Sequence, residues 1–393
     1  MARVPRYLTD PAPQPTQAGP PTVESALPAA SRRRLRTGNR TVTAAAPDPR
    51  INLVGRTPTE IEALVGGHID RAFRARQIAQ WVVDRNATDF SEMTNLTKEL
   101  RAELARHFRI TDPEVLDTSV SSDGSVKWLF GLDDGLSLEG VSMPEGGKLT
   151  LCLSSQTGCA VGCTFCVTGA LGAGRNLRPD EIVGQYRVML RQFSDPMDRV
   201  NIVFMGMGEP LLNTANLGPA LETLYERVSP KRITVSTSGI LPGIEWLASL
   251  ARRPKLAVSL NAPDQERRQE LMPIARRYPL SDLMTELRRF PLERARRLTF
   301  EYVLIRGFND SEDDARMVVR LIRGIPSKVN VIPLNEDPEH FPDLHRPDDE
   351  TINRFAVVLR DAGLTVTVRW SKGLDVDAAC GQLKGRHQAR SSR

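Results

Sequence analysis

Between Thr57 and Ile110 apolar residues recur every three to four positions: Ile61, Leu64 and Val65, then Ile78, Trp81 and Val82, then Leu100, Leu104 and Phe108. That spacing lines one face of a helix and predicts a small helical domain over residues 51–112. The period then changes. Val126, Trp128 and Phe130, and beyond Asp133-Asp134-Gly135 the run Leu136, Leu138 and Val141, alternate with other residues. Alternation on both sides of a turn predicts a β-hairpin, within an extension or linker of residues 113–147. From residue 148 to 383, apolar runs at 149–153, 201–205, 232–235, 256–260, 300–305, 329–333 and 364–368 alternate with helically spaced segments at 180–191, 217–228, 280–289, 311–322 and 348–361. Repeated βα units predict an α/β fold with parallel strands, as a barrel or an open sheet. In both, ligand-binding groups gather at the C-terminal ends of the strands.

Composition narrows the class. A chain of 393 residues, 40% hydrophobic and 26% charged, is long enough for a large domain and a smaller one. No apolar run reaches the length of a membrane span, and the N-terminus lacks the apolar core of a secretory signal. Five cysteines make an odd number for a disulfide framework, which fits a reducing, cytoplasmic compartment better. The net charge of +5 is carried by residues 1–50, where eight arginines face Asp10, Glu24 and Asp48, so it says little about nucleic acid. That segment holds nine of the 28 prolines and shows no apolar periodicity, which predicts a disordered extension; residues 384–393 are expected to form a disordered tail. Nine arginines between Arg267 and Arg297 read as solvated helix faces.

The chemistry is concentrated in Cys159-Ala-Val-Gly-Cys163-Thr-Phe-Cys166. A structural zinc site needs four protein ligands, and no second cysteine or histidine pair follows at suitable spacing. Three thiolates on one loop suit a [4Fe–4S] cluster whose fourth iron is left open to an incoming ligand. S-adenosylmethionine (SAM) is such a ligand, because its amino and carboxylate groups can chelate that iron. Downstream, Gly206-Met-Gly208-Glu209-Pro210 follows a predicted strand and combines close backbone approach with a carboxylate that can accept from an ammonium group. Ser236, Asn261 and Asn335 fall at the ends of later strands.

The spacing resembles the radical-SAM superfamily, and longer motifs resemble one family within it. Leu151-Cys-Leu-Ser-Ser-Gln-Thr-Gly-Cys159, Arg175-Asn-Leu177, Phe204-Met-Gly-Met-Gly-Glu-Pro-Leu-Leu-Asn213, Ser236-Thr-Ser-Gly239, Glu301-Tyr-Val303, Asn309-Asp310, Ile332-Pro-Leu-Asn335 and Asp377-Ala-Ala-Cys-Gly-Gln-Leu383 are similar to the RlmN family. The likeness runs from about Val54 to Leu383. It implies a partial (β/α) barrel of radical-SAM type that methylates carbon 2 of adenine in 23S ribosomal RNA and transfer RNA. Two SAM molecules would be consumed per turnover, with a reducing donor such as flavodoxin and no membrane; the sequence itself does not reveal the oligomeric state, and a monomer is the expectation. Cys159, Cys163 and Cys166 would ligate the cluster, Cys380 would carry the methyl group, Cys152 would resolve the enzyme–RNA adduct, and Glu139 would accept the ring proton. Gly208, Glu209, Ser236, Ser259, Leu260, Asn261 and Asn335 would bind SAM. The family usually has histidine where Asn261 stands, and more often arginine where Lys372 stands. The target adenine must be unstacked to reach such a site, and the helical domain would help to recognise RNA shape. Two alternatives stay open: a related enzyme acting at carbon 8 of adenine, and a non-catalytic, metal-stabilised RNA-binding module.

Overall fold

A computed structural model describes residues 48–193 and 198–384. The expectations for the first 47 residues and for residues 385–393 therefore lie outside the described residues.

The N-terminal region carries three helices, α1 (Pro58–Val65), α2 (Ala72–Ala79) and α3 (Lys98–His107). Thr57 caps α1 by accepting from the Glu60 N–H while the Glu60 carboxylate accepts from the Thr57 N–H, so both ends of the capping box are made. Thr97 caps α3 in the simpler way. Short strands β1 (Ile51–Asn52) and β2 (Phe108–Arg109) pair in parallel and bring the two ends of the region together.

One ten-stranded sheet forms the rest, and its spatial order follows the chain: β3 (Glu114–Val120), β4 (Val126–Gly131), β5 (Ser137–Glu145), β6 (Lys148–Cys152), β7 (Arg199–Phe204), β8 (Ile233–Thr237), β9 (Lys255–Ser259), β10 (Leu298–Leu304), β11 (Ser327–Pro333) and β12 (Thr365–Val368). From β3 to β6 neighbours are antiparallel; from β6 to β12 every neighbour is parallel. β3 and β12 lie at opposite ends of the order, so the seven parallel strands form a partial barrel. The hairpin read from the sequence is β4–β5, and it continues the barrel sheet. β3 was not separated by the pattern, because its side chains alternate between exposed and half-buried without a clear apolar face.

Among the described residues eight further helices follow: α4 (Val167–Ala170), α5 (Pro179–Arg191), α6 (Thr214–Leu224), α7 (Leu241–Ser249), α8 (Gln265–Leu271), α9 (Leu280–Arg289), α10 (Glu312–Ile322) and α11 (Asp349–Asp361). The sequence pattern marks α5, α6, α9, α10 and α11. It misses α4, a single turn of four residues, α7 and α8, the last being a mostly polar stretch of seven residues. The core lies where these helices pack on the sheet: Phe300, Tyr302 and Leu304 of β10 are fully buried, and the Tyr302 ring stacks 5.1 Å from Phe355 of α11. Strand alternation therefore sends Glu301 and Val303 the other way, toward the barrel interior.

The helical region is fastened to the barrel through α5. Arg187 donates to Asp112 Oδ1 at 2.7 Å and to the Ala87 carbonyl at 2.6 Å, and Asn52 Nδ2 donates to Asp180 Oδ2 at 3.1 Å. A Cβ at Gly55 would sit 2.5 Å from the Asp180 backbone nitrogen, which explains why glycine stands at this contact, with φ +76°. Among the described residues no helix is long and apolar enough to cross a membrane.

Candidate active site

The cysteine loop leaves the end of β6 and is held by backbone bonds on both flanks. Thr164 N–H donates to the Leu271 carbonyl at the end of α8 (2.9 Å), and Val167 N–H donates to the Gly381 carbonyl of the C-terminal segment (2.8 Å). Thr168 Oγ1 adds a bond to the Leu383 carbonyl at 2.8 Å. Cys159, Cys163 and Cys166 thereby line one cavity at the C-terminal ends of the parallel strands. Burial pushes the Cys159 thiol up to about 12 and raises Cys163 and Cys166 as well, so thiolates at these positions need a cation to stabilise them.

A test of fit comes from spacing. Among the described residues, two groups bring their ligand atoms within 4.8 Å of one another, His68/Glu103/His107 and Asp337/Glu339/His340, and the three cysteines are not such a group. Their sulfurs do not converge on a single ion, whereas a multi-iron cluster takes its thiolates from separate corners. The donor set fits a [4Fe–4S] cluster held by three cysteines. The two tighter groups already satisfy their carboxylates, Glu103 with Arg106 and Asp337 with Lys384.

Gly208, Glu209, Ser236, Ser259, Asn261 and Asn335 line the same cavity. Gly208 has φ +94°, and a Cβ there would lie 2.5 Å from the Gln156 Cβ and 2.8 Å from its backbone nitrogen, so the loop cannot accept another residue without shifting. The Glu209 side chain is locked: Oε2 accepts from Ser238 N–H and Oγ, both at 2.7 Å, and Oε1 accepts from Leu211 N–H at 3.0 Å. Burial raises its pKa, and these bonds oppose the shift. Leu260 is different. Its side chain is fully buried away from the cavity wall, its N–H donates to the Glu301 carbonyl at 2.9 Å, and its own carbonyl accepts from Arg268.

Asn261 sits at φ +57°, a left-handed conformation that asparagine tolerates better than most residues. Its Oδ1 accepts from the Val303 N–H at 3.0 Å and its Nδ2 meets Met272 Sδ at 3.3 Å, so the side chain braces β9 against β10. Asn335 Nδ2 donates to the Cys380 carbonyl at 2.9 Å and ties the C-terminal segment to the end of β11. Lys372 forms an ion pair with Glu145 at 3.1 Å.

The two remaining cysteines meet here. Cys380 opens into the cavity beside the cysteine loop. Cys152, buried at the end of β6, lies close enough that its charge and that of Cys380 interact, and burial pushes its thiol up to about 12. Glu139 occupies a neighbouring cavity with Lys127, Asp375 and Asp377. Its Oε2 accepts from the Lys384 N–H at 2.8 Å, and Lys127 Nζ lies 3.9 Å from Oε1. The C-terminal segment borders both cavities, carrying Cys380 into one and Asp375–Asp377 into the other.

Three functional neighbours were given no role by the sequence. Glu301 lines the cavity between Ser259 and Asn330, its register partners on β9 and β10's other neighbour, β11. Arg369, just beyond β12, interacts with Cys380, Glu301 and Cys152. Arg268 departs from the solvated reading of its arginine-rich stretch: it is fully buried, and its guanidinium donates to the carbonyls of Ser259 (2.7 Å) and Ser238 (2.6 Å). For Glu301 the signal was available, because alternation with Phe300 and Tyr302 turns a carboxylate inward.

Comparison with known proteins agrees with this architecture. Residues 153–318 match the Radical SAM superfamily, and residues 51–110 match the Ribosomal RNA large subunit methyltransferase N-terminal domain. A Dual-specificity RNA methyltransferase RlmN from Marinobacter nauticus is 42% identical over 354 residues, covering 88% of this chain and 95% of that protein. A protein of the same name from Geobacter sulfurreducens is 46% identical over 348 residues, covering 87% and 94%. The crystal structure of a radical SAM methyltransferase from Sphaerobacter thermophilus superposes with a TM-score of 0.80 at 42% identity, over 85% of this chain and 99% of that one. With identity at this level across nearly the whole length of its relatives, the chain belongs to the RlmN family.

Proposed function

We propose that this protein is a radical-SAM RNA methyltransferase that methylates carbon 2 of adenine in 23S ribosomal RNA and in transfer RNA, through a methyl group carried on Cys380. The observation that carries this reading is that Cys380 lines one cavity with Cys159, Cys163 and Cys166, with Cys152 close enough for the two charges to interact. A module that merely used metal to bind RNA would have no use for the last two thiols.

The three loop cysteines would hold the cluster, and Glu209 with the Gly206–Gly208 backbone would orient the amino end of SAM. A reduced cluster with bound SAM supplies a deoxyadenosyl radical that can remove a hydrogen atom from a methyl group. Carbon 2 of adenine is electron-poor, so ordinary methyl transfer from a sulfonium finds no nucleophile there; a methylene carbon fixed on Cys380 can instead bond to the ring. Glu139 would accept the ring proton once the unpaired electron left by the addition had been given up, for which a bound cluster would be the acceptor. Cys152 would then attack the Cys380 sulfur, forming a disulfide as the sulfur–methylene bond breaks, and the electron pair of that bond would take up a proton to complete the methyl group on the released RNA. A cycle that ends in this disulfide would need an electron donor such as flavodoxin to return both cysteines to thiols. The adenine must reach both Cys380 and Glu139, which border adjoining cavities, so the target base enters beside the C-terminal segment.

The test is product identity. Adenosine from reactions with a ribosomal RNA fragment, and separately with transfer RNA, is expected to co-elute with 2-methyladenosine, with deuterium at carbon 2 lost. Recovery of 8-methyladenosine with that label retained would move the reaction to the other ring edge.

A further inference from the structure

Three glutamates stand in or beside the site, and their oxygens are used very differently. Both Glu209 oxygens accept hydrogen bonds from the protein, and Glu139 is engaged by Lys384 and Lys127 in the adjoining cavity. Glu301 is held at one oxygen alone: Oε1 accepts from Asn330 Nδ2 at 2.9 Å, while Oε2 is buried with no hydrogen-bond partner. Such an acceptor is costly to leave unpaired, and it is retained on the wall of the cavity that contains Cys380.

The groups that interact with the Cys380 thiol come from four directions: Arg369 beyond β12, Glu301 on β10, Cys152 on β6 and Cys166 of the cysteine loop. Cys380 is exposed and lines the same cavity as Glu301. An ordinary cysteine thiol keeps most of its proton near neutral pH, yet the thiolate is the nucleophile in sulfur alkylation. A base is required, and burial keeps the Glu301 carboxylate raised toward the range of a useful proton acceptor.

We infer that Glu301 is the general base that takes the thiol proton of Cys380 when this residue is first methylated, an inference that rests on the Cys380 reading above. The Cys380 sulfur forms a bond to the methyl carbon as the carbon–sulfonium bond of SAM breaks. The electron pair of that bond leaves with S-adenosylhomocysteine, and the thiol proton passes to Glu301 Oε2. Nothing is oxidised or reduced. Arg369, whose charge acts on the Cys380 thiol, stabilises the negative charge that develops on sulfur.

The experiment uses the full chain with its cluster reconstituted and SAM carrying a trideuterated methyl group, so that only newly transferred methyl on Cys380 is counted by peptide mass spectrometry. Glu301→Gln and Glu301→Ala are expected to slow labelling about 10²-fold or more, as loss of a general base does. The SAM dissociation constant should stay within about threefold of wild type, a difference well below the tenfold that 1.4 kcal/mol represents. Formate should restore part of the rate in Glu301→Ala, where it has room, and not in Glu301→Gln. Glu301→Gln should also unfold at the wild-type temperature or above, because it removes a buried carboxylate with an unpaired oxygen. Labelling of Glu301→Gln at the wild-type rate would overturn the inference, as would a loss of SAM affinity that matches the loss of rate. Absence of label on wild-type Cys380 would instead overturn the Cys380 reading.

Discussion

Arg187 and Arg268 are both buried, at 4% and 1% exposure, and they mark two regions built on different terms. Arg187 joins the helical region to α5, where its charge meets Asp112 and its remaining donors meet the carbonyls of Val82 and Ala87. Arg268 lies beneath the cavity with carbonyl oxygens and the Met272 sulfur around it, no carboxylate in its hydrogen-bonding shell, and an unpaired Nε. Burial pulls its pKa down to about 10, with the Cys163 charge opposing. Glu209 and Glu301, in the same region, are carboxylates with raised pKa values. The scaffold neutralises its buried charges internally; the cavity leaves charge to be answered by what binds there.

The comparison can be broken by mutation. Arg187→Met should give the largest loss of stability, ~3 kcal/mol, because it strips one of two cations from buried Asp112, leaving Arg191, and orphans two carbonyls. Urea unfolding measures this, and iron content should stay normal in the folded fraction. Arg268→Met should cost at least ~1 kcal/mol less, because no buried carboxylate loses its partner. Equal losses would remove the distinction between the two regions.

The contrast was only partly legible in the sequence. Every parallel strand of the barrel, and five of its helices, follow from apolar periodicity, because these elements bury one face against a single core. The cysteine loop and Gly206–Pro210 were legible because their chemistry is fixed by local spacing. Arg268 was not: it belongs to a helix of seven mostly polar residues, and only the tertiary fold shows that its guanidinium turns inward to reach the ends of β8 and β9. Leu260, which the family resemblance places at the SAM site, buries its side chain in the core, so its backbone is the part left to face a ligand. Likewise Arg175, part of a family motif without an assigned task, is a brace: its guanidinium bonds both oxygens of Glu181, at 2.8 and 2.7 Å, and also meets Asp134.

Two smaller effects sharpen the comparison on the cavity side. Glu209→Gln should change stability by less than ~1 kcal/mol, since an amide keeps one acceptor and sheds a buried charge, but SAM affinity should fall by about tenfold or more as the ammonium loses its carboxylate. Equilibrium dialysis with labelled SAM separates the two. Asn261→His should have the smallest effect. Histidine also tolerates φ near +57°, and replacing one or two hydrogen bonds worth ~0.5–1.5 kcal/mol each should leave the SAM dissociation constant within about tenfold. A larger change would give Asn261 a role beyond bracing Val303.

The division of labour between Cys380 and Cys152 tests the account most directly. After incubation with SAM, reductant and RNA, Cys152→Ala should retain RNA covalently on a denaturing gel, because the bond from Cys380 to the base forms and the thiol that releases it is gone. Cys380→Ala should retain none, and wild type should release its product. RNA trapped on Cys380→Ala, or both variants free of RNA while their clusters still cleave SAM, would contradict the placement of the methyl carrier on Cys380.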